Sequence, residues 1–159
     1  MKRSHQEYLR EAVAVSWESR ESGNTPFGAL LVSPEGEILV KQGNIEISSG
    51  ECTGHAETAL MARASKTYSK DYLKDCTFYT TFEPCAMCSG AIYWGGVGTV
   101  VFGATEEKLL ELTGDNPQNP TMSLSCREVF ARGQKDITVI GPFPELEEEI
   151  LAPHLDYWK

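Results

Sequence analysis

One imidazole and two thiols sit at the starts of two separate helical segments, and the chain must fold so that these three groups meet. They lie in His55-Ala56-Glu57 and Pro84-Cys85-Ala86-Met87-Cys88. Cys85 and Cys88 are spaced i, i+3, which on a helix puts both sulfurs on one face. Pro84 suits the approach to a helix start, where the helix dipole also favours thiolates. One His and two Cys fill three positions of a tetrahedral zinc and leave the fourth for water, as in catalytic sites, whereas a structural zinc closes its shell with protein. His55 and Glu57 are spaced i, i+2 and share no helix face. The imidazole can therefore reach the metal while the carboxylate comes round to the metal's water. Two thiolates and a neutral imidazole leave Zn²⁺ formally neutral, so ionising that water needs a base nearby, and Glu57 can take the proton and pass it on. Two alternatives stand beside this reading: a redox C-x-x-C pair, and a closed structural zinc completed by Cys52, which forms C-x-x-H with His55.

With 159 residues the chain is expected to form a single domain, 1–159, with a sizeable core. Its net charge is -9, which weighs against gripping a long nucleic acid through its phosphates but does not exclude a small neutral base. No apolar run approaches the ~18 residues of a membrane span, and the polar start Met1–Glu7 lacks a signal-type apolar core. Five cysteines, three of them (Cys52, Cys76, Cys126) at no framework-like spacing, point to a reducing cytoplasm with two thiols on metal and three free.

Tyr8, Ala12, Val15 and Ser19 recur at helical spacing and predict an amphipathic helix over His5–Glu21, ended by Gly23-Asn24-Thr25-Pro26. Phe27–Val32 and Ile38–Asn44, joined by the turn Ser33-Pro34-Glu35-Gly36, predict a β-hairpin. Ser48–Thr53 is expected as loop, Gly54–Ser65 as helix, Cys76–Thr81 as strand and Cys85–Trp94 as a helix capped by Gly95-Gly96. Thr99–Phe102 predicts a strand, Glu106–Leu112 a helical turn or two, and Asp115–Pro120 an irregular loop. Glu128–Ala131 predicts a short helix, Ile137–Ile140 a strand and Glu145–Leu151 an acidic helix. Strands alternating with helices indicate an α/β fold, a three-layer α/β/α sandwich.

Pro26-Phe27-Gly28-Ala29, Asn44, Thr53-Gly54-His55-Ala56-Glu57 and Phe82-Glu83-Pro84-Cys85-Ala86-Met87-Cys88-Ser89-Gly90-Ala91-Ile92 resemble the cytidine deaminase superfamily, in its guanine deaminase and tRNA adenosine deaminase branch. The resemblance runs from Phe27 to about Ala104. It implies a mixed five-stranded sheet flanked by helices, a homodimer or larger assembly, and hydrolytic deamination of an amino-substituted heteroaromatic base. It assigns one zinc per chain to His55, Cys85 and Cys88 and the proton shuttle to Glu57. Asn44 matches a position that bonds the base edge, the Ala56 N–H a donor to the base carbonyl, and Phe27 a stacking position.

Three features lean towards free guanine. Trp94, after Tyr93, resembles an aromatic wall of guanine deaminases. Glu145, Glu147, Glu148 and Glu149 stand where tRNA-editing relatives are basic. His154-Leu155-Asp156-Tyr157-Trp158-Lys159 resembles a tail that closes over the site, with Tyr157 against substrate. Asp115, with Glu111 as fallback, is the expected second acid reading the far edge of the purine. Glu83 is expected to brace its loop. The alternatives are cytosine or another aminated heterocycle such as a triazine or pterin, then tRNA adenosine, and lastly a catalytically silent zinc module.

Overall fold

Ser4 opens the first helix with a capping box: its hydroxyl accepts from the Glu7 N–H while the Glu7 carboxylate accepts from the Ser4 N–H. The computed structural model describes residues 2–159. Helix α1 spans His5–Glu21 and buries Tyr8, Ala12, Val15 and Ser19, the stripe its spacing predicts. The hairpin follows as β1 (Gly28–Val32) and β2 (Ile38–Gly43). A single turn, α2 (Glu46–Ser49), comes next, ended by Gly50 at φ +74, where an L side chain would be strained. Then come α3 (Ala56–Thr67), the turn α4 (Lys70–Leu73), β3 (Thr77–Phe82), α5 (Ala86–Gly95) and β4 (Thr99–Ala104). The chain continues through α6 (Glu106–Thr113), α7 (Cys126–Ala131), β5 (Thr138–Ile140) and α8 (Glu147–Leu151).

The strands form one sheet in the order β2-β1-β3-β4-β5. β1 pairs antiparallel with both β2 and β3, while β3, β4 and β5 run parallel, so the sheet is mixed. Side chains alternate across it. Ala29, Leu31, Phe78, Val100 and Phe102 meet Leu60, Met61 and Ile92 of α3 and α5 on one face. Leu30, Val32, Tyr79 and Val101 meet Leu9, Ala12, Leu109 and Ile150 on the other. This period of two, with helices covering both faces, makes the three-layer α/β/α sandwich. Gly28 lets α1 lie directly on β1, since a Cβ there would stand 2.2 Å from the Ala12 carbonyl oxygen.

The sequence differs from the structure mainly at short elements. Part of the expected loop Ser48–Thr53 lies in α2, whose first N–H groups are taken by side-chain oxygens, Glu46 N–H by Asn44 and Ile47 and Ser48 N–H by Asn24. The turn α4 is unexpected; Ser69 caps it. Helix α7 starts before Glu128 because Ser125 serves as its N-cap. The acidic helix opens as a 3₁₀ turn, Pro144–Leu146. Among the described residues no helix is long and apolar enough to cross a membrane.

Candidate active site

β3 delivers Glu83-Pro84-Cys85 to the start of α5, and α3, packed beside α5, begins with His55 as its N-cap. The two helix starts thus meet at the carboxyl end of β3. Crevices at the carboxyl ends of strands are where open α/β sheets bind ligands. His55 Nδ1 lies 3.5 Å from Cys85 Sγ and 3.6 Å from Cys88 Sγ. In a tetrahedral site with ordinary Zn–N and Zn–S lengths, nitrogen and sulfur stand about 3.6 Å apart. The three ligand atoms all lie within 4.8 Å of one another, so the residues present fit zinc. Cys52 is exposed and outside this group, and among the described residues no fourth ligand joins it. The closed structural site is therefore set aside, and a tetrahedral ion held here keeps one position free of protein.

The surrounding groups tune these ligands. The Thr58 hydroxyl donates to Cys88 Sγ at 3.1 Å. The bond from Cys88 and the neighbouring His55 push the Cys85 thiol down to about 4. That bond to Cys85, with burial, pushes the Cys88 thiol up. The bond to Cys85, with the nearby charge of Glu57, raises His55 to about 9. On the far side of the ring, Glu46 Oε1 stands 3.8 Å from His55 Nε2.

A cavity of about 300 Å³ opens beside the ligands. Glu57, in the first turn of α3 and only 7% exposed, faces it. Burial, followed by the charge of Cys85, pushes its acid up to about 7. Ala56 lines the cavity at the first position of α3, where backbone N–H groups have no partner within the helix. Asn44 and Phe27 also line it. Phe27 is held edge-on to Phe82 at 5.8 Å and to His154 at 5.3 Å.

Glu83 ties this end of the sheet together. Its Oε1 accepts from the Glu106 N–H at 3.2 Å, and its Oε2 accepts from the Ser125 hydroxyl at 2.8 Å and the Cys126 N–H at 3.1 Å. One carboxylate therefore holds the starts of α6 and α7 beside the Pro84-Cys85 turn, as its bracing role requires.

Four expected substrate contacts lie elsewhere. Trp94 is 71% exposed at the far end of α5, against Tyr93 and Lys135. It is nine residues beyond Cys85, about two and a half turns of helix away. Asp115 is exposed and does not line the cavity; its neighbour Asn116 donates to the Trp158 carbonyl instead. Glu111 is exposed and pairs with Lys108 at 3.1 Å. Tyr157 packs against Trp158 and beneath Arg20, whose guanidinium donates to the Pro153 and Leu155 carbonyls. The tail thus docks behind Phe27 in its own chain and does not enter the cavity. Sequence reasoning missed Glu46, Met87, Glu106, Leu109 and the Gln118–Met122 wall. An acid in the first turn of a helix, such as Glu106, reads simply as a match to the helix dipole. Only the parallel pairing of β3 and β4 carries it to the site.

Comparison with known proteins agrees with this geometry. The family model for the cytidine and deoxycytidylate deaminase zinc-binding region matches residues 2–104. A Schizosaccharomyces pombe protein named as a probable cytosine deaminase is 38% identical over 151 residues, 95% of this chain and 90% of that protein. Guanine deaminase of Bacillus subtilis is 35% identical over 114 residues, 71% of this chain and 72% of its own. The solved guanine deaminase of Nitrosomonas europaea shares the fold, with a TM-score of 0.72 at 23% identity over 99% of this chain and 85% of that one. With the zinc-binding region matched over more than half its length and a relative aligned nearly end to end, the chain belongs to the cytidine and deoxycytidylate deaminase zinc-binding family, hydrolases acting on C–N bonds.

Proposed function

We propose that this chain hydrolytically removes the exocyclic amino group of a free nucleobase, with cytosine as the foremost substrate and ammonia as co-product. The observation that carries this reading is Glu57, buried in the cavity wall beside His55, Cys85 and Cys88. Zinc held by those three residues supplies, when bound, a water acidified towards neutral pH and a positive charge that favours attack on carbon. Glu57 would carry one proton of the attacking water to the ring nitrogen beside the reacting carbon, then take the second proton from the hydroxyl left on that carbon and deliver it to the leaving amine, so that one water is added and one ammonia departs. Asn44 spends its side-chain oxygen on the Glu46 N–H at 2.8 Å, which leaves its amide N–H groups for a base carbonyl. The Ala56 N–H offers a second donor, and Phe27 a flat apolar wall.

The cytosine preference is supported by the S. pombe relative, which matches nearly the whole chain. The residues that argued for a purine, Trp94, Asp115 and Tyr157, are not in the cavity. Guanine is the second reading, favoured by a volume of about 300 Å³, more than a single ring fills. A net charge of -9 argues against tRNA. Met87 and Trp94, seven residues apart on one face of α5, are 37% and 71% exposed, which supports burial of that face in a homodimer. The fully reduced cysteines suit a cytoplasmic setting.

A panel of cytosine, guanine, adenine, their nucleosides and cytidylate, assayed for ammonia with zinc-loaded protein, tests the substrate. Turnover of cytosine above all others is expected. Turnover confined to nucleosides or cytidylate would contradict the free-base reading.

A further inference from the structure

Four glutamates face the cavity, and no lysine or arginine does. Three of them have evident work. Glu57 stands beside the ligand group, Glu83 accepts three hydrogen bonds, and Glu46 lies against the His55 ring. Glu106 differs. It is 7% exposed, it faces the cavity from the first turn of α6, and among the described residues no hydrogen bond reaches its carboxyl.

The Glu106 carboxyl is left to whatever fills the cavity, and a ligand that covered it without a hydrogen bond would lose the free energy of its hydration. Glu106 is fixed there. The Thr105 hydroxyl accepts from the Lys108 N–H at 3.1 Å, and Glu83 accepts from the Glu106 N–H at 3.2 Å. The helix start is clamped at both points, with Glu106 and Leu109, one turn apart, facing inward. Burial, then the charges of Cys85, Glu57 and Glu83, push its acid up to about 8. In either protonation state the group keeps an oxygen able to accept a hydrogen bond.

We propose that Glu106 is a specificity-determining residue that selects a free base over its nucleoside or nucleotide, its carboxyl accepting the ring N–H that a glycosidic bond removes. This rests on the nucleobase reading above. The family's substrates range from bases to nucleosides to nucleotides, and that ring nitrogen is where they differ. A base with the N–H supplies the donor Glu106 lacks. A sugar at the same nitrogen leaves the carboxyl buried and unpaired, the situation that gives the largest discrimination between substrates. A nucleotide phosphate would also meet four acids and no cation.

The test uses zinc-loaded Glu57→Gln protein, which binds without turnover, titrated calorimetrically with cytosine, 1-methylcytosine, guanine and 9-methylguanine. With Glu106 intact, the parent base should bind at least about 100-fold tighter than its methylated form. Adding Glu106→Leu should shrink that ratio to within about threefold, whereas Glu106→Gln, which keeps an acceptor, should retain at least about tenfold. Zinc content and melting temperature are read for each variant. A ratio unchanged by Glu106→Leu overturns the inference, as does the absence of any preference in the Glu106-intact protein, a result that stands even if the leucine variant fails to fold. If none of the four bases binds, the nucleobase reading itself falls and this inference with it.

Discussion

His55, Cys85 and Cys88 meet with the spacing of tetrahedral zinc ligands, and each owes its place to a helix start. Metal binding and stability are therefore expected to be linked through single side chains. Cys88→Ser should weaken zinc at least about 100-fold and make the melting temperature insensitive to chelator, whereas the wild-type protein should melt lower when zinc is stripped. Zinc content after dialysis and thermal melts with and without chelator check both effects. These ligands were legible in the sequence because i, i+3 and i, i+2 spacings are local geometry. The same local geometry sets Glu57 in the wall of the cavity beside them. Trp94, expected against the substrate, does not line this cavity, because it occupies the last turn of α5, far from the cysteines at the helix start. Glu106 was missed because its place depends on strand pairing and not on spacing.

At the scale of elements, α6 and α7 are held to the metal turn by one carboxylate. Glu83→Ala orphans two backbone N–H groups and one hydroxyl, all buried or partly buried. A loss of about 3 kcal/mol is expected from such a network, with weaker zinc binding because the Pro84-Cys85 turn loosens. Urea unfolding of the zinc-loaded and stripped variant measures the two losses separately. The helices and strands themselves were largely readable: α1 matches its predicted span, and the hairpin, α3, β3, α5 and β4 fall within a few residues of expectation. Single turns such as α2 and α4 escaped notice because they are set by a few side-chain hydrogen bonds, accepted by the Asn44 and Asn24 oxygens at α2 and by the Ser69 side chain at α4, with no periodicity to show them. Beyond the hairpin, the strand order was not readable from the spacing of residues, since the β1–β3, β3–β4 and β4–β5 pairings join segments distant in sequence.

At the scale of the whole molecule, the C-terminal tail connects α1, Phe27 and the loop after α6. His154, 3% exposed, accepts from Trp158 Nε1 at 2.9 Å and packs on Phe27 and Phe82. Burial pushes its imidazole down from 6.5 to about 3. The unfolded chain therefore takes up a proton below pH 6.5 that the folded chain refuses, and stability should fall by about 1.4 kcal/mol per pH unit from that source alone. By pH 4 this amounts to about 3 kcal/mol. His154→Phe, compared with the wild type in chelator so that metal loss is common to both, should show a flatter decline between pH 6.5 and pH 4. Equal slopes would mean that the tail does not carry the acid sensitivity.

The proposed chemistry converges on Glu57, in the cavity wall beside the three residues that fit zinc. Ammonia release from cytosine and guanine should be followed with wild-type and Glu57→Gln protein, each verified to hold one zinc per chain. The expected result is turnover by the wild type, abolished by zinc removal and restored by adding it back. In the variant the rate should fall by about 10²–10⁴-fold or more with zinc content unchanged. Turnover of either base by the variant at the wild-type rate, or zinc-loaded wild type inert towards both bases, would contradict this account.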